Sequence, residues 1–123
     1  MSDRELLEFA AKAAGYGFIR WETDEDGVGL AVVNHGYWQP LYMNTSTSCD
    51  GDALRLMVRL RLHARQFPVL DDGFDAPLGM VEVWRVDDDD PMHVEYFKRG
   101  DDRLIITRRA IVRAAAEIGR QMP

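Results

Sequence analysis

Residues 103–121, RLIITRRAIVRAAAEIGRQ, carry a regular pattern of apolar and charged residues, and the fold can be built outward from them. Their apolar residues recur every three or four positions, at Ile106, Ala110, Ile111, Ala114, Ala115 and Ile118. This spacing predicts an amphipathic helix whose apolar stripe packs against another element. The arginines of the segment fall mostly off the stripe and are expected to face solvent: Arg108, Arg109, Arg113 and Arg120.

The start of the chain predicts another helix, over residues 3–14. Ser2 and Glu5 have the spacing of a capping box, in which each side chain satisfies a free backbone amide of the other residue. Gly15 then favours a left-handed stop. The apolar residues between these two signals keep helical spacing. They are Leu6, Leu7, Ala10, Ala13 and Ala14.

A third helix is predicted in the middle of the chain, beginning at residues 50–52. Asp50 and Asp52 can accept backbone amides there, and their negative charge suits the positive end of a helix. Pro68 is expected to end this helix or to begin the next connection. The residues expected to face inward are Ala53, Leu54, Met57, Val58 and Leu62, and those expected to face water are Arg55, Arg59 and Arg65.

The segments between the helices predict two β-hairpins. Residues 18–23 pair with 28–33 across an Asp-Gly turn, and residues 81–86 pair with 94–97 across the polar turn DDDDP. An isolated two-stranded hairpin is only marginally stable, so both are expected to merge into one mainly antiparallel sheet of four or five strands. The predicted fold class is α+β, with three helices packed on this sheet in the order α-β-β-α-β-β-α, as a single domain over residues 1–123.

The composition is that of an intracellular globular protein. Of the 123 residues, 46% are hydrophobic and 29% charged, and the single cysteine, Cys49, excludes an internal disulfide framework. No apolar run approaches the roughly 18 residues that span a bilayer. The opening residues, MSDRELLEF, carry charges where a signal peptide would be apolar. We therefore expect a cytoplasmic protein without a membrane partner.

The charges are segregated along the chain, within a net charge of −6. Residues 66–102 carry 11 acids and 3 bases, whereas residues 103–123 carry 1 acid and 5 arginines. An acidic total repels a polyphosphate backbone at long range, so nucleic acid is not the favoured partner. The arginines of two predicted helices could still form a local basic surface.

One group of acids has the oxygen ligands that a hard divalent cation prefers. It consists of Asp87, Asp88, Asp89 and Asp90, with Glu82 and Asp101 nearby in sequence. The alternating ligand spacing of a calcium-binding loop is missing, and the tip of a hairpin normally collects solvated charge. We predict no metal site here and no cofactor.

Four residues belong to the types used in a nucleophile–base pair. They are His35, His63, His93 and Cys49. No spacing links them, and the sequence has no G-x-S-x-G elbow, no H-E-x-x-H helix and no phosphate-binding glycine loop. Residue types without geometry are weak evidence for catalysis, so we predict no catalytic residue and favour a protein that is not an enzyme.

Residues 35–43, HGYWQPLYM, concentrate large side chains in one predicted loop. Tyr37, Trp38 and Tyr42 can form a lid over an open edge of the core, since Trp and Tyr bury large areas. The same residue types are typical of the anchor positions through which proteins bind partners. A third interpretation places a small-molecule or nucleotide pocket beneath this loop.

Four blocks of the sequence resemble a family of small phage and prophage proteins. They are RELLEFAAKAAGYG (4–17), YWQPLYM (37–43), DGDALRLMVRL (50–60) and TRRAIVRAAAEIGRQMP (107–123). The family has no established biochemical activity, and some of its members are classed as an α-β-α sandwich domain. The resemblance implies a phage-encoded accessory protein acting in a bacterial cytoplasm, and it carries over no catalytic or binding residue.

These features favour non-catalytic binding as the function. We expect a phage accessory protein that binds a host protein or another phage protein, through the aromatic residues Tyr37, Trp38 and Tyr42 and the acidic residues Asp87–Asp90. An acidic hairpin can mimic nucleic acid in the basic groove of a host-defence or regulatory protein. The alternatives are a small-molecule or nucleotide-binding domain and a homo-oligomeric structural module.

Overall fold

The structure is a computed structural model that describes residues 1–23, 27, 29–41, 49–68 and 79–123. In these residues three helices form, α1 (Asp3–Ala14), α2 (Cys49–Leu60) and α3 (Arg103–Gln121). The strands are β1 (Phe18–Thr23), β2 (Gly29–Val33), β3 (Gly36–Trp38), β4 (Leu62–Pro68), β5 (Gly79–Arg85) and β6 (His93–Phe97).

The described strands form two antiparallel sheets rather than one. Sheet A has the order β1-β2-β3, and sheet B has the order β4-β5-β6. The α+β class and the three helices are confirmed, whereas the single four- or five-stranded sheet and the order α-β-β-α-β-β-α are wrong. Each predicted hairpin gains a third strand, β3 or β4, and three strands with one apolar face can pack against helices without merging.

The ends of α1 follow the signals in the sequence. The Ser2 Oγ accepts the backbone N–H of Glu5 at 3.2 Å, and Gly15 adopts a left-handed φ of 77°. The Ser2 hydroxyl in turn donates to the Glu5 carboxylate at 3.1 Å. These bonds satisfy one of the free amides at the helix start and fix the first residue of α1.

The contact between α1 and α3 forms the centre of the core, and small residues allow it. Both helices bury alanines in one hydrophobic cluster, which contains Ala10, Ala11 and Ala14 of α1 and Ala110, Ala114, Ala115 and Ala116 of α3. Gly119 lies so close to α1 that a Cβ atom there would overlap the backbone carbonyl of Phe9. The two backbones therefore approach more closely than larger side chains would permit.

α3 is buried along two lines of residues. The predicted stripe from Ile106 to Ile118 is buried or half-buried, as expected. A second buried line contains Arg108, Val112, Ala116 and Gly119. The expectation that Arg108 faces solvent is therefore wrong, because this central helix packs against neighbours on both lines.

α2 is rotated from the predicted orientation. It buries Cys49, Asp52, Ala53 and Leu56, while Leu54 and Val58 are exposed. The middle of the chain contains two overlapping apolar stripes, and the buried one carries Asp52 to an acceptor position for the backbone N–H of Gln39. This polar contact stabilises the observed orientation of α2.

A single residue joins α2 to β4. Arg61 has a φ of 56°, a left-handed conformation that ends the helix without a glycine or a proline. The predicted helical continuation toward Pro68 is wrong, because residues 62–68 instead form the edge strand β4 and Leu62 enters the core from there.

Sheet A packs its core face against the helices. Ala31, Val33 and Trp38 of this face are buried in the cluster, and β2 turns into β3 through Asn34 and His35. Gly29 makes room for the Trp21 ring, which a Cβ atom would overlap. The predicted Asp-Gly turn between β1 and β2 falls largely outside the described residues.

Sheet B also has one core face, which carries Leu62, Val81, Val83 and Phe97. The pleat of each strand directs the alternate residues to the opposite face. None of the described helices combines the length and apolar character that crossing a bilayer requires.

Candidate functional site

The structure places two of the three aromatic residues of the predicted binding loop, Tyr37 and Trp38, in different surroundings. Tyr37 lies on β3 and is 49% exposed, whereas Trp38 is 2% exposed and packs in the core. Trp38 contacts Tyr16 edge to face with ring centroids 5.7 Å apart, and its buried Nε1 has no acceptor among the described residues. Tyr42 lies outside the described residues. Of this set, Tyr37 alone is seen to present an aromatic surface to solvent.

The segment after Trp38 is fixed by buried polar contacts. The Gln39 side chain is fully buried, donates to the Gly29 carbonyl at 2.7 Å and accepts the backbone N–H of Leu41 at 2.9 Å. The backbone N–H of Gln39 donates to Asp52 Oδ2 at 3.1 Å. Trp38–Leu41 are thus held against the core, and the rest of the loop, from Tyr42 on, lies outside the described residues.

Asp52 is an ionisable group at the border of this network. Burial raises the pKa of its carboxyl, and the hydrogen bond from Gln39 and the positive charge of Arg55 oppose the rise. Arg55 lies 3.4 Å from Asp52 Oδ1, but its side chain is largely exposed, so the ion pair is screened by solvent. Asp52 is therefore a structural group, because its carboxylate accepts the backbone N–H of Gln39 and fixes that segment.

The face of sheet B that points away from the core carries several aromatic and apolar side chains outside the hydrophobic cluster. We call it the open face; its residues are His63, Arg65, Phe67, Met80, Glu82, Trp84, Val94 and Tyr96. Each of them is half-buried or exposed, and none belongs to the hydrophobic cluster of the core. Five of the eight are large apolar or aromatic residues.

Contacts within the open face order its side chains. The Trp84 indole N–H donates to Glu82 Oε2 at 3.1 Å, and the Arg65 guanidinium lies 5.8 Å from the centre of the Trp84 ring. The His63 ring lies 6.1 Å from the same indole. Tyr96, on the opposite edge strand, is 52% exposed. The face therefore presents aromatic surface that is already held in place.

The acidic residues Asp87–Asp90 lie in the turn between β5 and β6, and all four are exposed. Backbone bonds hold this turn: the N–H of Val86 donates to the Arg61 carbonyl at 3.0 Å, and the N–H of Asp88 donates to the Arg85 carbonyl at 3.2 Å. The turn follows Trp84 by three residues, so the negative charge stands at one end of the open face.

The three histidines and Cys49 lie in different surroundings. His35 packs against Tyr16 with ring centroids 4.7 Å apart, and His63 belongs to the open face. Cys49 is buried at the start of α2. No three His, Cys, Asp or Glu side chains in the described part of the chain are grouped so that they could hold a metal ion.

His93 lies within hydrogen-bonding distance of an acid among the described residues. Its Nε2 lies 2.7 Å from Glu95 Oε1, and the Glu95 carboxylate also accepts from Arg113 Nη1. Burial lowers the pKa of His93, and the positive charge of Arg113 lowers it further. In its neutral form the imidazole donates its Nε2 proton to Glu95, because a carboxylate can only accept.

The open face and the His93–Glu95–Arg113 contact were both missed by sequence reasoning. His93 and Glu95 are two residues apart on a strand, and this spacing places both side chains on one face. No protein-family model matches the chain, and no curated protein or solved structure is significantly similar to it.

Proposed function

We propose that this chain is a phage-encoded accessory protein that binds another protein, without catalysis, through the open face of sheet B. The observation that carries the proposal is an ordered aromatic surface outside the core, on which Trp84 is half-buried and Tyr96 is 52% exposed. Trp, Tyr and Met are enriched where proteins bind one another, and ordered side chains lose little entropy on binding. The phage origin rests on the resemblance of the four sequence blocks.

The charge at the end of the open face indicates the chemistry of the partner. Asp87–Asp90 add four carboxylates next to an apolar centre, and Glu82 adds another within the face. A surface of this kind complements a protein that carries a basic patch beside an apolar one, and the acidic charge would accelerate association and make it sensitive to salt. A host protein with a nucleic-acid-binding groove fits this description.

Two tyrosines provide a matched test of the binding face. Tyr96 lies on the open face and Tyr37 on sheet A, and their exposed fractions are nearly equal, 52% and 49%. We expect a protein captured from host lysate and identified by mass spectrometry to bind the Tyr96→Ala variant at least about tenfold more weakly, as for an interface hot spot. The Tyr37→Ala variant should bind it as the unchanged protein does.

Replacement of Asp87–Asp90 by asparagine tests whether the acidic charge contributes to binding of the partner. The captured protein should have a basic surface, should bind this variant more weakly, and should lose affinity as salt is raised. Equal binding of all variants, loss in Tyr37→Ala alone, or salt-independent binding would contradict the proposal. The phage origin has a separate test, because a gene flanked by chromosomal housekeeping genes rather than phage genes would argue against it.

A further inference from the structure

A second site lies on the other side of sheet B, away from the open face. It is a cleft of about 400 Å³ between the start of α1, the start of β6 and the C-terminal half of α3. The residues that line it are Met1, Leu6, Met92, His93, Arg113 and Glu117. Its volume falls within the range of small-molecule sites, and it combines an apolar wall with convergent polar groups.

The polar wall of the cleft is held by Glu95. This carboxylate accepts from both His93 Nε2 and Arg113 Nη1, so the imidazole and the guanidinium have fixed orientations. With Nε2 carrying the proton, His93 Nδ1 is a hydrogen-bond acceptor. Arg113 has further N–H groups beyond the one that Glu95 uses, because a guanidinium carries five donors.

Arg113 and Glu117 stand one helical turn apart on α3 and have opposite charges. Residues at this spacing are neighbours that commonly pair. Here the contacts of Glu117 go to Arg120 and Gln121, and Arg113 contacts Glu95. No ion pair joins Arg113 to Glu117 in the described structure, so a positive and a negative group face the same cleft side by side.

We propose that this cleft binds a free α-amino acid with an apolar side chain. Its carboxylate would pair with Arg113, and its ammonium would pair with Glu117 and donate to His93 Nδ1. The side chain would contact Met1, Leu6 and Met92. An amino acid carries its two charges on adjacent groups, which matches the adjacent opposite charges of α3 and leaves no charge of the ligand unpaired.

Calorimetry and two-dimensional NMR with L-leucine, L-methionine and L-phenylalanine test this proposal. The protein should begin at Met1, since this residue lines the cleft. We expect saturable binding with shifts at Leu6, Met92 and Arg113. 4-Methylpentanoic acid, which lacks the amine of leucine, and leucine methyl ester, which lacks the carboxylate, should each bind at least about tenfold more weakly than leucine.

Matched variants separate the cleft from general charge effects. Glu117→Gln and Arg113→Gln should weaken leucine binding by about tenfold or more, while Glu8→Gln and Arg4→Gln, which alter an exposed pair on α1, should leave it unchanged. Glu117 is on the surface, so its variant should fold normally. The proposal is overturned if none of the three amino acids binds up to about 10 mM, or if the four variants bind leucine equally.

Discussion

The Arg108 guanidinium of α3 and the Asp50 carboxylate at the start of α2 lie 2.7 Å apart, yet they differ greatly in exposure. The Arg108 side chain is 8% exposed and that of Asp50 is 62% exposed. Arg108 Nε also donates to the Leu41 carbonyl at 3.4 Å. The buried cation therefore depends on a carboxylate that reaches it from the surface, and it connects α3 to both α2 and the segment that follows β3.

This pair should show a measurable coupling energy. Asp50→Ala removes the charged partner of a buried guanidinium, which should lower the free energy of unfolding by about 1–3 kcal/mol. A double-mutant cycle with Arg108→Met, followed by urea unfolding, should give a coupling of at least about 0.5 kcal/mol. The exposed Arg4–Glu8 pair is the control and should give no significant coupling. Equal coupling in both pairs would contradict this assignment.

Asp52 should be replaceable by asparagine but not by alanine. Asp52→Ala leaves the buried backbone N–H of Gln39 without its acceptor and should cost about 1–3 kcal/mol of unfolding free energy. Asp52→Asn keeps an oxygen acceptor and removes a partly desolvated charge, so its cost should be below about 1 kcal/mol. Urea unfolding of both variants at pH 7 checks the difference, and equal losses would rule out this role of the side chain.

The pKa of Asp52 also predicts a dependence on pH. Because burial raises this pKa above the ordinary value of 3.8, the folded protein holds the proton at a pH where the unfolded chain has released it. The unchanged protein should therefore lose stability relative to Asp52→Asn as the pH rises from 3.8 through the raised pKa, and the difference should then stay constant. Urea unfolding of both proteins at about seven pH values, from about pH 3.5 upward, measures this difference in stability. A difference that changes with pH in the opposite direction would contradict the assignment.

The close approach of α1 and α3 should make Gly119 intolerant of substitution. An added Cβ would overlap the Phe9 carbonyl, so Gly119→Ala should cost about 1–3 kcal/mol even though alanine favours helices. Gly17→Ala is the control, since a Cβ there would stand 3.5 Å from that of Asn34, an ordinary contact. Thermal unfolding should give a lower Tm for Gly119→Ala and an unchanged Tm for Gly17→Ala. A stabilised Gly119→Ala would mean that the helices stand further apart.

His93 should make stability fall in mild acid. Its pKa is lowered from the ordinary value of 6.5, so below pH 6.5 the unfolded chain binds a proton that the folded protein does not yet accept. The stability of the unchanged protein relative to His93→Gln should decline as the pH falls from 6.5 through the lowered pKa. The charged groups that face this ring are Glu95, Arg113 and Glu117. A difference that is constant across this range would contradict a neutral His93.

Local signals predict the helices well and the strands less completely. The predicted bounds 3–14 and 103–121 match α1 and α3, because caps and apolar spacing act within a few residues. β4 was missed because Leu62 continues the helical spacing from Val58, and Arg61 gives no sign in the sequence of its left-handed conformation. A three-residue strand such as β3 exists only through its pairing with β2.

The sites depend on contacts between distant segments, and this limits what the sequence can predict. Arg108 could have been recognised as buried, because Val112, Ala116 and Gly119 follow it along a line of small or apolar residues. The pairing of Arg108 with Asp50 could not have been predicted, since it depends on how α2 docks on α3. The same holds for Arg113 and Glu95, 18 residues apart, which meet only after β6 packs against the helix.

The Gly119–Phe9 contact has a consequence for how the chain folds. This close approach joins segments more than 100 residues apart, so a long loop must close before α1 and α3 can pack together. During synthesis, α1 leaves the ribosome long before α3 and carries its alanines without a binding surface. We therefore expect slow formation of this core and a nascent chain that is prone to aggregation until α3 has emerged.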